Sequence, residues 1–182
     1  MLSCQHGTEP VVIVPSALQM NPNTVPPDPF GAGSPAYAEL RKVSDAALAL
    51  QWNGMLQDFA PWLEEQTTAM ERALALLKAL RVGPQDVYAV ANGRIAMAYD
   101  RIALALTHAS ELADTAGLDS DWQDQEGRIW EQASAFWGRC VRGCDMAGTQ
   151  VDAWDLHCRN GFARSQAQLA LWSKAKSPRQ PE

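Results

Sequence analysis

One long apolar stripe with a helical period constrains this sequence more than any other feature. Its members recur three or four residues apart: Val87, Ala91, Ile95, Ala98, Ile102, Leu106, Ala109 and Ala113. That spacing places all of them on one face of an α-helix. At about 1.5 Å per residue, a helix over residues 84–116 is about 50 Å long. The alanines in the stripe allow a neighbouring helix to approach closely, so the segment predicts helix-on-helix packing.

Two further helices are predicted before this one. Ser34 is a good N-cap and Pro35 suits the first helical position, so we expect a helix over 36–59. A proline at position 61 breaks or kinks it, and a second helix is expected over 61–81. Gly83–Pro84 then ends that helix, because glycine accepts the left-handed conformation and proline cannot continue the helix.

A second long apolar stripe follows Asp119 and Ser120, two residues that are typical of a helix N-cap. Its members are Ile129, Ala133, Phe136, Cys140, Cys144, Ala147, Val151, Trp154 and Cys158. The spacing predicts either one very long helix or two helices that bend near Gly148, since an interior glycine costs about 1 kcal/mol against alanine. Helical character fades after Ser173.

The first 34 residues have a different composition from the rest. They hold six prolines: Pro10, Pro15, Pro22, Pro26, Pro27 and Pro29. Because proline removes backbone donors and restricts its predecessor, this arm is predicted to be extended or disordered and dispensable for folding. Its run Val11–Val14 either packs locally or pairs as a strand with a partner.

No segment alternates polar and apolar residues with a strand period. The predicted fold class is therefore all-α, an antiparallel bundle of about four or five long helices with a disordered Pro-rich N-terminal arm. The expected divisions are an arm over 1–34, a helical domain over 35–173, and a short basic disordered tail over 174–182.

Charge and cysteine usage limit the partners and the compartment. The chain of 182 residues has a net charge of −6, and its only basic cluster is Lys174, Lys176 and Arg179, so nucleic acid is not expected as a partner. No apolar run has the length of a transmembrane helix. With four cysteines and no secretion signal, we expect a cytoplasmic protein with reduced thiols.

The sequence offers no catalytic constellation. Its histidines are His6, His108 and His157, and His108 has no oxyanion donors or nucleophile elbow beside it. No Glu-x-x-His pair and no phosphate-binding glycine loop occur. We therefore expect no enzymatic activity, no catalytic residues and no cofactor.

The cysteines are weak metal candidates. Cys140 and Cys144 lie on one helix face, where two thiolates suit Cu(I) or Zn(II) and where His157 and Cys158 would complete a site. On a continuous helix, however, Cys158 lies about 21 Å along the axis from Cys144. Unless the chain turns sharply near Gly148, the thiols are core side chains, and we favour the interpretation without metal.

Seven tryptophans are many for this length. Trp130 and Trp137 are seven positions apart and lie beside the second stripe, which widens its apolar face. They either broaden the core or form an exposed strip that binds an apolar surface. Following the second alternative, Trp122, Trp130 and Trp137 are the predicted interaction surface.

One stretch, Phe136–Gln150, resembles the phasin family, in which an aromatic residue and an arginine precede Ala-x-x-Thr-Gln. The matching positions are Trp137, Arg139, Met146 or Ala147, Thr149 and Gln150. The segment Leu76–Asp86 is similar to the part that precedes this pattern. The resemblance implies a non-enzymatic helical coat protein of polyhydroxyalkanoate granules in bacteria.

These observations favour a non-enzymatic helical protein that acts through an amphipathic surface. The expected partner is a second copy of the chain, a helical protein, or an apolar granule surface. The proline-rich arm suggests the alternative of a substrate or chaperone of a bacterial secretion system. A helical metal-binding protein or enzyme is the third hypothesis.

Overall fold

Five α-helices and two short 3-10 turns make up the part of the chain that the structure describes. The computed structural model describes residues 24–31, 33–118 and 121–176, and no β-strand occurs among them. The helices are α1 (Pro35–Ala49), α2 (Phe59–Leu80), α3 (Gln85–Thr115), α4 (Trp122–Ala147) and α5 (Asp152–Lys176). The 3-10 turns Leu56–Asp58 and Gly148–Val151 precede α2 and α5. The all-α helical bundle predicted from the sequence is confirmed.

The first helix is shorter than the periodicity predicts. The Ser34 hydroxyl caps α1 as expected, but the helix ends at Ala49 and an irregular loop follows. In that loop the Asn53 side chain accepts a hydrogen bond from the Met55 amide at 2.9 Å, and Gly54 takes a φ of +83°. This local turn competes with helix formation, which the apolar spacing alone does not reveal.

The chain reverses at Gly148, so α4 and α5 form an antiparallel hairpin. Gly148 has a φ of +73°, a left-handed conformation that glycine adopts readily. Of the two predicted alternatives for the second stripe, the bend is therefore the correct one. The last helix continues to Lys176, three residues into the predicted tail, and residues 177–182 lie outside the described part.

Helix α3 is the axis of the molecule. Every residue from Ala89 to Asp100 is buried, because α1 and α2 pack on one side of α3 and α4 and α5 on the other. Over the described lengths of the helices, no Cα atom of α2 lies within 8 Å of one in α4, and the same holds for α1 and α5. Two gaps are therefore left over α3, one between each of these pairs.

Residues 24–31 bridge the gap between α1 and α5. The Trp154 indole of α5 donates to the Pro27 carbonyl at 3.1 Å. Asp28 contacts Tyr37 and Arg41 of α1 and Arg94 of α3, at 2.8, 3.4 and 3.3 Å. This part of the arm has no helix or strand and ends in a turn, but it packs on the bundle, which argues against its being dispensable. The Val11–Val14 run lies outside the described residues.

Candidate functional site

The structure places two of the three predicted surface indoles in the core. Trp130 is 1% exposed and Trp137 is not exposed at all. Each indole N–H has a carboxylate partner: Trp130 donates to Glu126 at 3.3 Å, and Trp137 donates to Asp100 at 3.1 Å. The prediction of an exposed apolar strip is therefore wrong for these two residues, and the alternative of a broadened core is correct.

The return of α5 along α4 is the reason for this burial. Gly161 of α5 faces Trp137, and a Cβ at that position would overlap the indole. His157 also contacts the Trp137 ring, with ring centroids 5.3 Å apart. Trp122 is half-buried against Phe59. The apolar stripe in the sequence does not show that a second helix covers its edge. Gly161 is the one sequence signal for the close approach of α5 to Trp137.

A buried polar cluster links α3, α4 and α5. Asp100 is 2% exposed and forms an ion pair with Arg164 as well as the hydrogen bond from Trp137. Burial raises the pKa of Asp100 to about 6, although Arg164 and Trp137 act in the opposite direction. Burial and the nearby Arg164 lower the pKa of His157 to about 4. At neutral pH the carboxylate is ionised and the imidazole is neutral.

Three of the four cysteines meet between α4 and α5. Cys140 and Cys158 form a disulfide, and the buried Cys144 thiol lies beside them. The three Sγ atoms lie within 4.8 Å of one another. The long axial separation expected for a continuous helix does not apply, since the chain turns at Gly148 and brings Cys158 back to Cys144.

The cysteine cluster is enclosed by the core. A Cβ at Gly93 of α3 would lie 2.9 Å from the Cys140 Sγ and 2.8 Å from the Trp154 ring, so glycine makes room for both. Burial raises the pKa of Cys144 to about 11, and the carboxylates of Asp155 and Asp145 act in the same direction. The free thiol is therefore protonated at neutral pH.

A groove runs over α3 in the second gap, between α2 and α4. Its apolar lining is Leu63, Met70, Leu74 and Leu77 of α2, Tyr99, Ile102 and Leu106 of α3, and Ile129 and Phe136 of α4. Two cavities of about 440 and 200 Å³ lie along it, and Leu74 lines both; the smaller one is also lined by Thr67, Glu71 and Gln125. We call this surface the α2–α4 groove.

The larger cavity gives the α2–α4 groove a cationic end. Lys78, Arg81 and Arg139 line it, and no ion pair to these three side chains is found among the described residues. The Arg139 guanidinium lies 4.6 Å from the centroid of the Phe136 ring. Sequence reasoning missed this surface because its residues come from three helices.

No family model, no curated protein and no solved structure matches the chain. None of the helices in the described part is long and apolar enough to cross a membrane. Two features of the fold bear on function: the α2–α4 groove on the surface and the cysteine cluster in the core.

Proposed function

We propose that this protein is a non-enzymatic binding protein that holds an acidic amphipathic helix of a partner protein in the α2–α4 groove. The observation that carries the proposal is a groove with apolar side chains along its length and exposed cationic side chains at one end. The class of function is the one expected from the sequence, but the surface differs from the predicted strip of indoles.

The architecture supports an added segment at this position. On the opposite side of α3, residues 24–31 already bridge α1 and α5, two helices without a Cα pair within 8 Å. The α2–α4 groove is the equivalent gap, and its floor of Tyr99, Ile102 and Leu106 is apolar. An amphipathic helix places side chains at i, i+3, i+4 and i+7 into such a groove.

Charge favours an acidic partner over the protein's own N-terminus. The side chains of Lys78, Arg81 and Arg139 are exposed at the end of the groove and attract carboxylates, which raises the rate of association and fixes orientation. Residues 1–23 contain a single carboxylate, Glu9, and therefore do not complement this end. A second copy of the chain is the remaining occupant, and its presence is an outcome of the test below.

The other two functions suggested by the sequence require different features of the protein surface. A phasin-like coat needs exposed apolar side chains, and the fold removes Trp130 and Trp137 from that role. A secretion chaperone holds a segment of its partner, so it falls within the same binding class. No feature of the fold specifically favours a granule surface or a secretion system, so both functions stay predictions.

Two synthetic peptides with the same apolar helical face test the proposal. One carries glutamates on its polar face near one end, and the other carries lysines at the same positions. We expect the acidic peptide to bind at least tenfold more tightly in fluorescence anisotropy. The triple variant Lys78→Glu, Arg81→Glu, Arg139→Glu should lose that preference.

A matched variant controls for general electrostatic attraction. Lys42→Glu, Arg128→Glu, Lys174→Glu changes the net charge equally at exposed positions that do not line the α2–α4 groove. Equal loss of binding in both variants would contradict a specific site. Dimerisation through the groove would show that a second copy of the chain is the occupant instead of a partner helix. Adsorption to polyhydroxybutyrate particles without peptide binding would show that the occupant is a granule surface.

A further inference from the structure

The three-sulfur cluster has the geometry of a metal site. Cys140 and Cys144 lie one turn apart on α4, and the turn at Gly148 brings Cys158 of α5 beside them. Sulfurs that share one ion lie roughly 4 Å apart when each metal–sulfur bond is about 2.3 Å. The observed limit of 4.8 Å between the three Sγ atoms is compatible with a single shared ion after small side-chain rotations.

The donor set favours Cu(I) over Zn(II). Structural zinc takes four ligands, whereas the cluster of described side chains offers three sulfurs and neither a histidine nor a carboxylate. His157 does not complete the site as the sequence suggested, since its ring lies against Trp137 and Trp154. A water ligand is disfavoured because all three cysteines are at most 5% exposed. Soft thiolates without a fourth donor suit Cu(I).

We propose that reduction of the Cys140–Cys158 disulfide opens a trigonal Cu(I) site made of Cys140, Cys144 and Cys158. A dithiol supplies two electrons and two protons to the disulfide, which gives two thiols while the dithiol becomes a cyclic disulfide. Cu(I) then binds the three sulfurs and releases their three protons to solvent. The disulfide form offers one thiol and does not hold the ion.

The surrounding core sets the size of the site. Gly93 leaves space beside Cys140, because a Cβ there would lie 2.9 Å from the sulfur. Trp154 closes the same side, and a Cβ at Gly93 would lie 2.8 Å from its ring. This enclosure restricts access of water and of further ligands to the three sulfurs.

Titration of the full chain with Cu(I) tests the site. The protein is reduced anaerobically with dithiothreitol, desalted, and titrated against the chromophoric Cu(I) chelator bicinchoninate. We expect one Cu(I) per chain. Cys144→Ser and Cys158→Ser should each weaken binding at least 100-fold, and the disulfide form should not compete with the chelator. Cys4→Ser is the control that keeps the three-sulfur cluster.

X-ray absorption of the copper-loaded wild type does not depend on the folding of variants. We expect three sulfur neighbours and no nitrogen or oxygen neighbour at the copper. Failure of the reduced wild type to take Cu(I) from the chelator, or tighter binding of Zn(II) than of Cu(I), would overturn the assignment. The peptide experiment on the α2–α4 groove uses other residues, so either proposal can fail alone.

Discussion

At the scale of single residues, four of the five glycines inside the described α-helices mark close approaches, whereas Gly148 lies at the turn between α4 and α5. A Cβ at Gly127 would overlap Trp172, and one at Gly143 would lie 2.5 Å from the Ala89 Cβ. The sequence shows these glycines only as a cost to the helix. It does not show which side chain lies opposite, because that depends on how α4, α5 and α3 are brought together.

Gly161→Ala should destabilise the protein. A Cβ at Gly161 would overlap the buried Trp137 indole, and such overpacking costs about 1–3 kcal/mol. Gly138→Ala is the control, because its new Cβ would meet its nearest neighbour at 3.4 Å and alanine favours the helix by up to about 1 kcal/mol. Urea denaturation of both variants measures the difference. Equal stability of the two would contradict the packing of α5 on Trp137.

Asp100→Asn should change how stability depends on pH. The Asp100 pKa is raised to about 6, so the folded state binds its proton more readily than the unfolded chain, whose value is near 3.8. This contribution to stability is present at low pH and is lost as pH rises from about 4 to 6. The asparagine variant lacks it.

The measured quantity is the free energy of unfolding of wild type minus that of Asp100→Asn. It should fall as pH rises from about 4 to 6. Arg164 and His157 are present in both chains. Because the His157 pKa is lowered, its contribution to the free energy of unfolding is lost as pH falls. This dependence on pH has the opposite sign to that of Asp100, and it cancels when the two chains are subtracted. A difference that rises over this range would show that ionised Asp100 stabilises the fold.

At the scale of helices, periodicity predicts which segments are helical and which face is apolar, but not which helices are neighbours. The second stripe predicts the helical character of α4 and α5, but it does not predict that they form a hairpin, in which the chain reverses at Gly148 with a φ of +73°. The meeting of Cys144 with Cys158 follows from that turn. The same chain reversal places Gly161 of α5 against Trp137, so it accounts both for the cysteine cluster and for the burial of this predicted surface indole.

Asp28→Ala should test the link between the N-terminal segment and the helices. Arg94 has a buried guanidinium that pairs with Asp28 and with the half-exposed Asp45. Loss of one of these two carboxylates should cost about 1–3 kcal/mol, since a buried charge is left with less compensation. Chemical denaturation gives the value.

Glu39→Ala is the matched control for that substitution. Glu39 pairs with Arg72 on the surface, where removal of an ion pair costs about 0–1 kcal/mol. If Asp28→Ala is as mild as the control, residues 24–31 do not contribute to the stability of the bundle. The expectation from composition, that the arm is dispensable, would then hold for them as well.

At the scale of the whole molecule, the bundle is two hairpins attached to one central helix. The apolar face of α3 is covered by the other helices, but no Cα atoms of α2 and α4 lie within 8 Å of each other, and the same holds for α1 and α5. This arrangement leaves the α2–α4 groove on one side of α3, and on the other side the gap in which residues 24–31 pack. Neither gap can be predicted from the sequence. An apolar stripe shows that one face of a helix is buried, but not which helices pack on it or how much of it each of them covers.

The two hairpins should differ in local stability. Helix α1 buries five residues and α4 buries ten, so α1 and α2 should detach from α3 at a lower free energy than α4 and α5. The backbones of α2 and α4 have no Cα pair within 8 Å, although the Phe59 and Trp122 rings contact each other, so this opening should leave the packing of α4 on α5 intact. Hydrogen exchange followed by mass spectrometry should show faster exchange in α1 and α2 at low denaturant.

Two variants make this prediction specific. Asp28→Ala removes contacts to Arg41 and Arg94 and should speed exchange in α1 while leaving α4 unchanged. Gly161→Ala disturbs the contact with Trp137 and should speed exchange in α4 and α5 instead. Uniform protection of all five helices in the wild type would mean that the bundle opens as one unit. The α2–α4 groove would then be a rigid surface, whereas separate opening of the α1–α2 hairpin lets the groove widen around a partner helix.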